Sequence, residues 1–233
     1  MSGMSGMSGM RNEPVLGSHE IGAYLDAADW LIEVLGGPEL ARAWGQPSAV
    51  ARYSIGGLAA HAVQGGVVRL IQVLNDPDPA DGHPVTLADF FGPNRMAQPD
   101  DDDPLFAVLR AGAEEVALQG QPALLESCRS ARSTLAVLLP TIPANRAVSV
   151  VRIVGGVVPL RDYLRTRVLE VVVHGDDLVA SVSGCDAPDP PPAAVEVCLE
   201  LCLELARAQL GDLAALRGFT RAERTDPDAL RIL

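Results

Sequence analysis

The sequence has no lysine; all 18 basic residues are arginine, set against 30 acidic ones. A chain without lysine has no Schiff-base nucleophile and no P-loop cation, which removes both classes of chemistry. The net charge of -12 gives a field that repels phosphate backbones, so nucleic acid is not expected as a partner. Cysteines are few, Cys128, Cys185, Cys198 and Cys202, and too unevenly placed for a disulfide scaffold. Reduced thiols in a cytoplasm are the expectation. No run of about 18 uncharged apolar residues is read in the chain, so no membrane span is expected. The paired glycines Gly56-Gly57, Gly65-Gly66 and Gly155-Gly156 do not form G-x-G-x-x-G, and no G-x-S-x-G is present, which disfavours dinucleotide cofactors and a hydrolase triad.

What the chain does have is apolar content. Its 233 residues are 48% hydrophobic and 21% charged, with a mean hydropathy of +0.19, far from the composition of a disordered chain. That length buries a real core in one domain. Residues 1–17, which open on a Met-Ser-Gly repeat without the basic start and apolar centre of a secretion signal, are expected to be a disordered leader, and 18–233 a single domain.

Helical spacing dominates. Ile21, Leu25, Ala28, Ile32 and Leu35 predict a first helix from Ser18, the candidate N-cap, to Leu35, stopped by Gly36, Gly37 and Pro38. Ser54 is positioned to cap a second helix to Leu74, whose four glycines each cost roughly 1 kcal/mol relative to alanine and call for close packing or ligand access. Asn75 to Pro104 is rich in Pro, Asp and Gly and is expected to be a loop, a candidate lid; its Asp100 to Asp103 run suits solvent better than calcium. Helices are predicted over Leu105–Leu118, Pro122–Leu139, Leu160–Val182 and Ala193 to Leu216, while Val148 to Val158 suits a strand or a buried loop equally. The expected fold is an all-α bundle of four or five helices with short accessory elements.

On the Leu160–Val182 helix, Tyr163, Arg167, Glu170, His174, Asp177 and Ser181 form a polar stripe through an apolar neighbourhood. Glu170 and His174, at i and i+4, project to one side a turn apart and can share a metal ion. His61, near the middle of the second helix, is the candidate third ligand if the two helices are neighbours. Two imidazoles and one carboxylate suit zinc, iron or nickel, and three protein ligands leave a position for water or substrate. Asp177 is placed to hold the free ring nitrogen of His174. The plainer alternatives are a satisfied helix histidine and a Glu170 paired with Arg165 or Arg167 on a solvated face. Cys198 and Cys202 share the same spacing but sit among apolar residues and are read as core.

The stretch PLRDYLRTRVLEVVVHGDDLVA, Pro159 to Ala180, resembles the second metal-binding signature of the mycothiol-dependent maleylpyruvate isomerase N-terminal domain family, within the DinB-like superfamily. Trp44 to Val63, with SIGGLAAHAV, is similar to that family's first metal helix. The resemblance implies a DinB-like four-helix bundle with His61, Glu170 and His174 as ligands of a divalent metal, zinc in the first instance. It also implies a low-molecular-weight thiol, mycothiol, as co-substrate, and the arginine-only usage fits an actinobacterial host. The isomerase itself carries a further C-terminal domain, whereas only one helix and a tail are expected after Gly184.

The leading expectation is therefore a cytoplasmic, metal- and thiol-dependent transferase or isomerase acting on a small electrophile, as a monomer or homodimer. Asp177 and Arg167 are candidate catalytic residues, and Arg165 or Arg167 candidate binders of a carboxylate on thiol or substrate. Two alternatives stay open: a binding module with a structural metal, and a metal-activated hydrolase with Asp177 as base.

Overall fold

The computed structural model describes residues 15–77, 79, 82–92, 104–150, 155–221, 223 and 230. In chain order the helices are α1 (Ser18–Gly36), α2 (Pro38–Ala43), α3 (Ile55–Val63), α4 (Arg69–Asn75), α5 (Leu87–Phe91), α6 (Pro104–Ala117), α7 (Gln121–Leu138), α8 (Leu160–Ser181), α9 (Pro192–Leu210) and α10 (Asp212–Thr220). A π-helical turn, Gln64–Val68, joins α3 to α4 without a break, and a 3-10 turn, Leu139–Thr141, ends α7. Two short strands, β1 (Ala147–Ser149) and β2 (Val157–Pro159), pair antiparallel with Val148 opposite Val158.

The fold is the expected all-α bundle. Helix α1 packs on α7, α8 and α9, and α3 packs on α6, α7 and α8. Tyr24, Leu31, Leu35, Leu58, Leu135, Leu164 and Leu178 meet in a core that all these helices share. The β1–β2 hairpin hands the chain directly to α8: Leu160 N donates to Arg146 O at 2.8 Å and Arg161 N to Ala144 O at 3.0 Å, which fixes where α8 begins.

Several expectations shift at the element ends. The N-cap of α1 is Gly17, not Ser18, because the Glu20 carboxylate reaches back to accept from Gly17 N at 2.8 Å. Residues 1–14 of the expected leader lie outside the described residues; Val15 bridges Pro143 and Leu16 is buried, so packing starts ahead of Ser18. Part of the expected Asn75–Pro104 loop is the helix α5, capped reciprocally by Thr86 and Asp89, with Phe90 and Phe91 buried and α9 beneath it. This described part is docked, not poised as a lid; residues 78, 80–81 and 93–103, including the aspartate run, lie outside the described residues. The undecided segment Val148–Val158 forms strands at its described ends. The expected last helix divides at Gly211, whose φ of 81 breaks the ladder between α9 and α10.

The described residues include one long apolar helical segment, interrupted by a charge as the sequence reading has it. Ile55–Asn75, 21 residues with a window of mean hydropathy 1.2, is by length and composition able to cross a membrane, the one such segment among the described residues. Valine, leucine, isoleucine and alanine keep its hydropathy high around the single charge of Arg69. It is packed in the bundle, with 56% of that window buried inside the protein.

Candidate metal centre

The centre sits where α3 crosses α8. Helix α3 starts at a doubly anchored cap: Ser54 Oγ accepts from Gly57 N at 2.9 Å, while Ser54 N and Oγ donate to the two oxygens of Glu114 on α6 at 2.8 and 2.7 Å. That clamp and the Trp44 indole explain two of the costly glycines. A Cβ on Gly57 would lie 2.0 Å from Glu114 Oε1, and one on Gly56 2.6 Å from the Trp44 indole. Held so, α3 presents His61 one helical turn before the π turn.

On α8, Glu170 and His174 stand on one face, and the opposite side of that turn is pressed onto α1, where a Cβ on Gly175 would meet Trp30 Cζ3 at 2.2 Å. Glu170 Oε2 lies 3.4 Å from His174 Nε2 and 3.8 Å from His61 Nε2. The two imidazoles meet edge to face, centroids 4.9 Å apart and planes at 75°. One ligand atom from each residue lies within 4.8 Å of the others. The three side chains keep 22 to 25% exposure, so the cluster is largely buried yet reachable from solvent.

Each imidazole is backed on its other nitrogen. Asp177 Oδ2 lies 3.1 Å from His174 Nδ1, as the i, i+3 spacing suggested. Tyr53 Oη lies 3.5 Å from His61 Nδ1, at the outer limit of a hydrogen bond. The Asp177 backbone is tied in turn: Ser181 Oγ donates to Asp177 O at 2.6 Å and accepts from Ala49 N at 2.8 Å, which docks the loop before α3 onto the end of α8.

Electrostatics separate the three candidate ligands. Burial works to raise the Glu170 carboxyl, but a hydrogen bond with His174 and the charges of Arg167, His174 and His61 outweigh it and hold the group well below the usual carboxylate range. Burial works to lower His174, yet hydrogen bonds to Asp177 and Glu170 prevail and carry it up to about 9. His61 is lowered, by burial first and by the neighbouring His174 second. Burial also pushes the Tyr53 phenol up to about 12, so it faces His61 as a neutral hydroxyl.

These residues fit a divalent ion. A tetrahedral ion with bonds of about 2.1 Å places its ligand atoms roughly 3.4 Å apart, close to the 3.4 and 3.8 Å from Glu170 Oε2 to the two imidazoles, and two imidazoles with one carboxylate match zinc, iron or nickel. The backed Nδ1 atoms leave both Nε2 atoms toward the shared carboxylate oxygen.

Other candidates fall elsewhere. Arg167 is buried, 6% exposed, with Nη1 donating to Gly65 O at 2.8 Å, Nε to Thr166 Oγ1 at 3.1 Å, and Nη2 at 3.7 Å from Glu170 Oε1. Its pairing with Glu170 is real, but on a buried face. Arg165 stands about 140° around α8 from Glu170 by helix geometry and pairs with Glu204 on α9 at 2.8 Å, so it does not join the centre. Cys198 is buried as expected of core, and Cys202 packs beside it. Two contributors carried no sequence signal: Tyr53, in a loop ahead of the His61 helix, and the Gly65 carbonyl.

No curated protein and no solved structure matches the chain. A family-level match covers residues 24–179, a span that takes in His61, Glu170, His174 and Asp177 and makes up more than half of the chain. The chain therefore belongs to the mycothiol maleylpyruvate isomerase N-terminal domain family.

Proposed function

We propose that this protein is a divalent-metal, thiol-dependent transferase or isomerase acting on a small electrophile, with mycothiol as the thiol and zinc as the metal. The observation that carries the reading is the convergence of His61, Glu170 and His174 within 4.8 Å, both imidazoles presenting Nε2, in a largely buried cluster reachable from solvent. The family name supplies the thiol. A bound divalent ion supplies a Lewis acid there, able to bring a thiol to its nucleophilic thiolate at neutral pH or to polarise a carbonyl.

The chain's own residues do the rest. With a divalent ion bound, His61 and His174 would present Nε2 to it as neutral donors, His174 by losing the proton it holds toward Glu170, and Glu170 would offer Oε2 as the anionic donor. Asp177 Oδ2 would hold the remaining His174 proton on Nδ1 once a metal displaced the one on Nε2. Tyr53 Oη stands 3.5 Å behind His61 Nδ1.

Among the described residues three such side chains converge and no fourth His, Cys, Asp or Glu joins them, which supports a catalytic reading over a closed structural site. Hydrolysis needs a free base, and the Asp177 carboxylate is turned to His174 Nδ1. The expected partners are the thiol and one small-molecule substrate, met in the reducing cytoplasm where such thiols are pooled.

The test is turnover of an electrophilic enoyl or keto acid by the zinc-loaded protein with and without mycothiol. Conversion that requires both zinc and thiol supports the reading. Equal conversion without thiol favours hydrolysis, and none with any thiol favours a binding module.

A further inference from the structure

The helix that carries His61 changes its hydrogen-bond step immediately afterwards. Arg69 N donates to Gln64 O, five residues back, and the Gln64–Val68 turn contains the adjacent glycines Gly65 and Gly66. Their carbonyls accept side-chain donors from two other helices: Gly65 O from Arg167 Nη1 at 2.8 Å, and Gly66 O from the buried Tyr24 hydroxyl at 3.0 Å. Local π-helical turns often sit beside functional sites, and here the turn lies against α8 at the level of Glu170 and Val171. A Cβ on Gly66 would stand 2.6 Å from Val171 Cγ2 and one on Gly65 3.8 Å from Glu170 Oε2, so the absent side chains let the two helices approach.

Arg167 crosses this contact. Its guanidinium lies 4.7 Å over the Tyr163 ring, Nε is held by Thr166, and Thr166 Oγ1 is itself fixed by donating to Tyr163 O at 2.7 Å. The fork therefore has one orientation, with Nη1 on the π turn and Nη2 toward Glu170. The Glu170 carboxylate is divided accordingly: Oε1 faces Arg167 at 3.7 Å, and Oε2 faces both histidines.

We infer that Arg167 is a positioning residue of the metal centre: it ties Glu170 to the π turn behind His61 and so sets which carboxylate oxygen, at what separation, meets the two imidazoles. The inference rests on the reading of His61, Glu170 and His174 as metal ligands. Arg167 acts through Glu170 and touches neither metal nor substrate. Backing groups of this kind typically carry about 10- to 100-fold in metal affinity.

The experiment measures zinc affinity by competition with a chromophoric chelator, the visible spectrum of the cobalt(II)-loaded protein, and thermal unfolding of the metal-free full-length chain. The variants are Arg167→Gln, Arg167→Lys, Tyr24→Phe, Glu170→Gln and the Arg167→Gln/Glu170→Gln double. Tyr24→Phe removes the other side-chain bond to the same turn and reports the structural contribution alone. The expected result is a zinc affinity about 10- to 100-fold weaker in Arg167→Gln with an altered cobalt spectrum, and partial recovery in Arg167→Lys. Tyr24→Phe melts earlier but binds zinc within about twofold of wild type, and adding Arg167→Gln to Glu170→Gln weakens binding by no more than about twofold. Should Arg167→Gln not fold, Arg167→Lys decides: weaker binding at an unchanged melting temperature supports the inference, and wild-type binding overturns it. Losses in Arg167→Gln and Tyr24→Phe that track melting temperature, or losses that add in full in the double variant, overturn it as well. A wild type that binds no zinc overturns the metal-centre reading itself, whereas a zinc-binding wild type with an equally tight Arg167→Gln overturns this inference alone.

Discussion

Asp177 Oδ2 lies 3.1 Å from Nδ1 of His174, one turn earlier on α8, and this contact decides which imidazole nitrogen is left for a metal. With a proton kept on Nδ1, Nε2, which faces Glu170 Oε2 and the His61 ring, is the nitrogen that would give up its proton to a metal. Asp177→Ala frees the ring to rotate and to carry its proton on either nitrogen. Zinc affinity in that variant is expected to fall about 10- to 100-fold while the helix content stays that of the wild type. Chelator competition beside a circular dichroism spectrum checks this; unchanged affinity removes Asp177 from the account.

The glycines of the π turn separate cleanly. Gly66→Ala drives a methyl to 2.6 Å from Val171 Cγ2 in a packed contact, whereas Gly65→Ala meets its nearest neighbour at an ordinary 3.8 Å. Urea unfolding should show Gly66→Ala less stable by about 1–3 kcal/mol, the usual cost of overpacking, and Gly65→Ala no less stable than wild type. Equal effects at the two positions would mean that the approach of α8 to this turn is looser than the structure has it.

Burial pushes the thiols of Cys128 and Cys198 up to about 12, because a thiolate loses its hydration inside the bundle. At pH 8 such a thiol is ionised in only about one molecule in ten thousand, and the thiolate is the form that alkylates. Mass spectrometry after iodoacetamide treatment of the folded protein at pH 8 should therefore find both cysteines unmodified, with full labelling once urea is added. Rapid labelling of Cys128 in the folded state contradicts its place against α1.

Much of this architecture can be read from residue spacing, and the exceptions have physical causes. Glu170, His174 and Asp177 were recoverable because one helix and its period fix all three. His61 needed a second helix beside the first, which spacing cannot supply but the family resemblance did. The Ser54 cap was legible, yet its clamp by Glu114, 60 residues away, was not. Helix α5 is too short for periodicity to register, and Gly211 interrupts an apolar pattern that otherwise continues, so only its backbone angle shows the break. Arg165 and Arg167 look alike in sequence; their positions around α8 send one to Glu204 on the surface and bury the other behind Glu170. Tyr53 lies in an irregular loop, where no pattern points at His61.

The most direct test is elemental analysis of the purified wild-type protein beside His61→Ala and Glu170→Ala, each after exposure to zinc and removal of the excess. The account predicts one divalent ion per wild-type chain, lost in both variants, with all three proteins retaining the same helix content. A wild type that takes up no zinc, nickel or iron, or a His61→Ala variant that still holds a full equivalent, contradicts it.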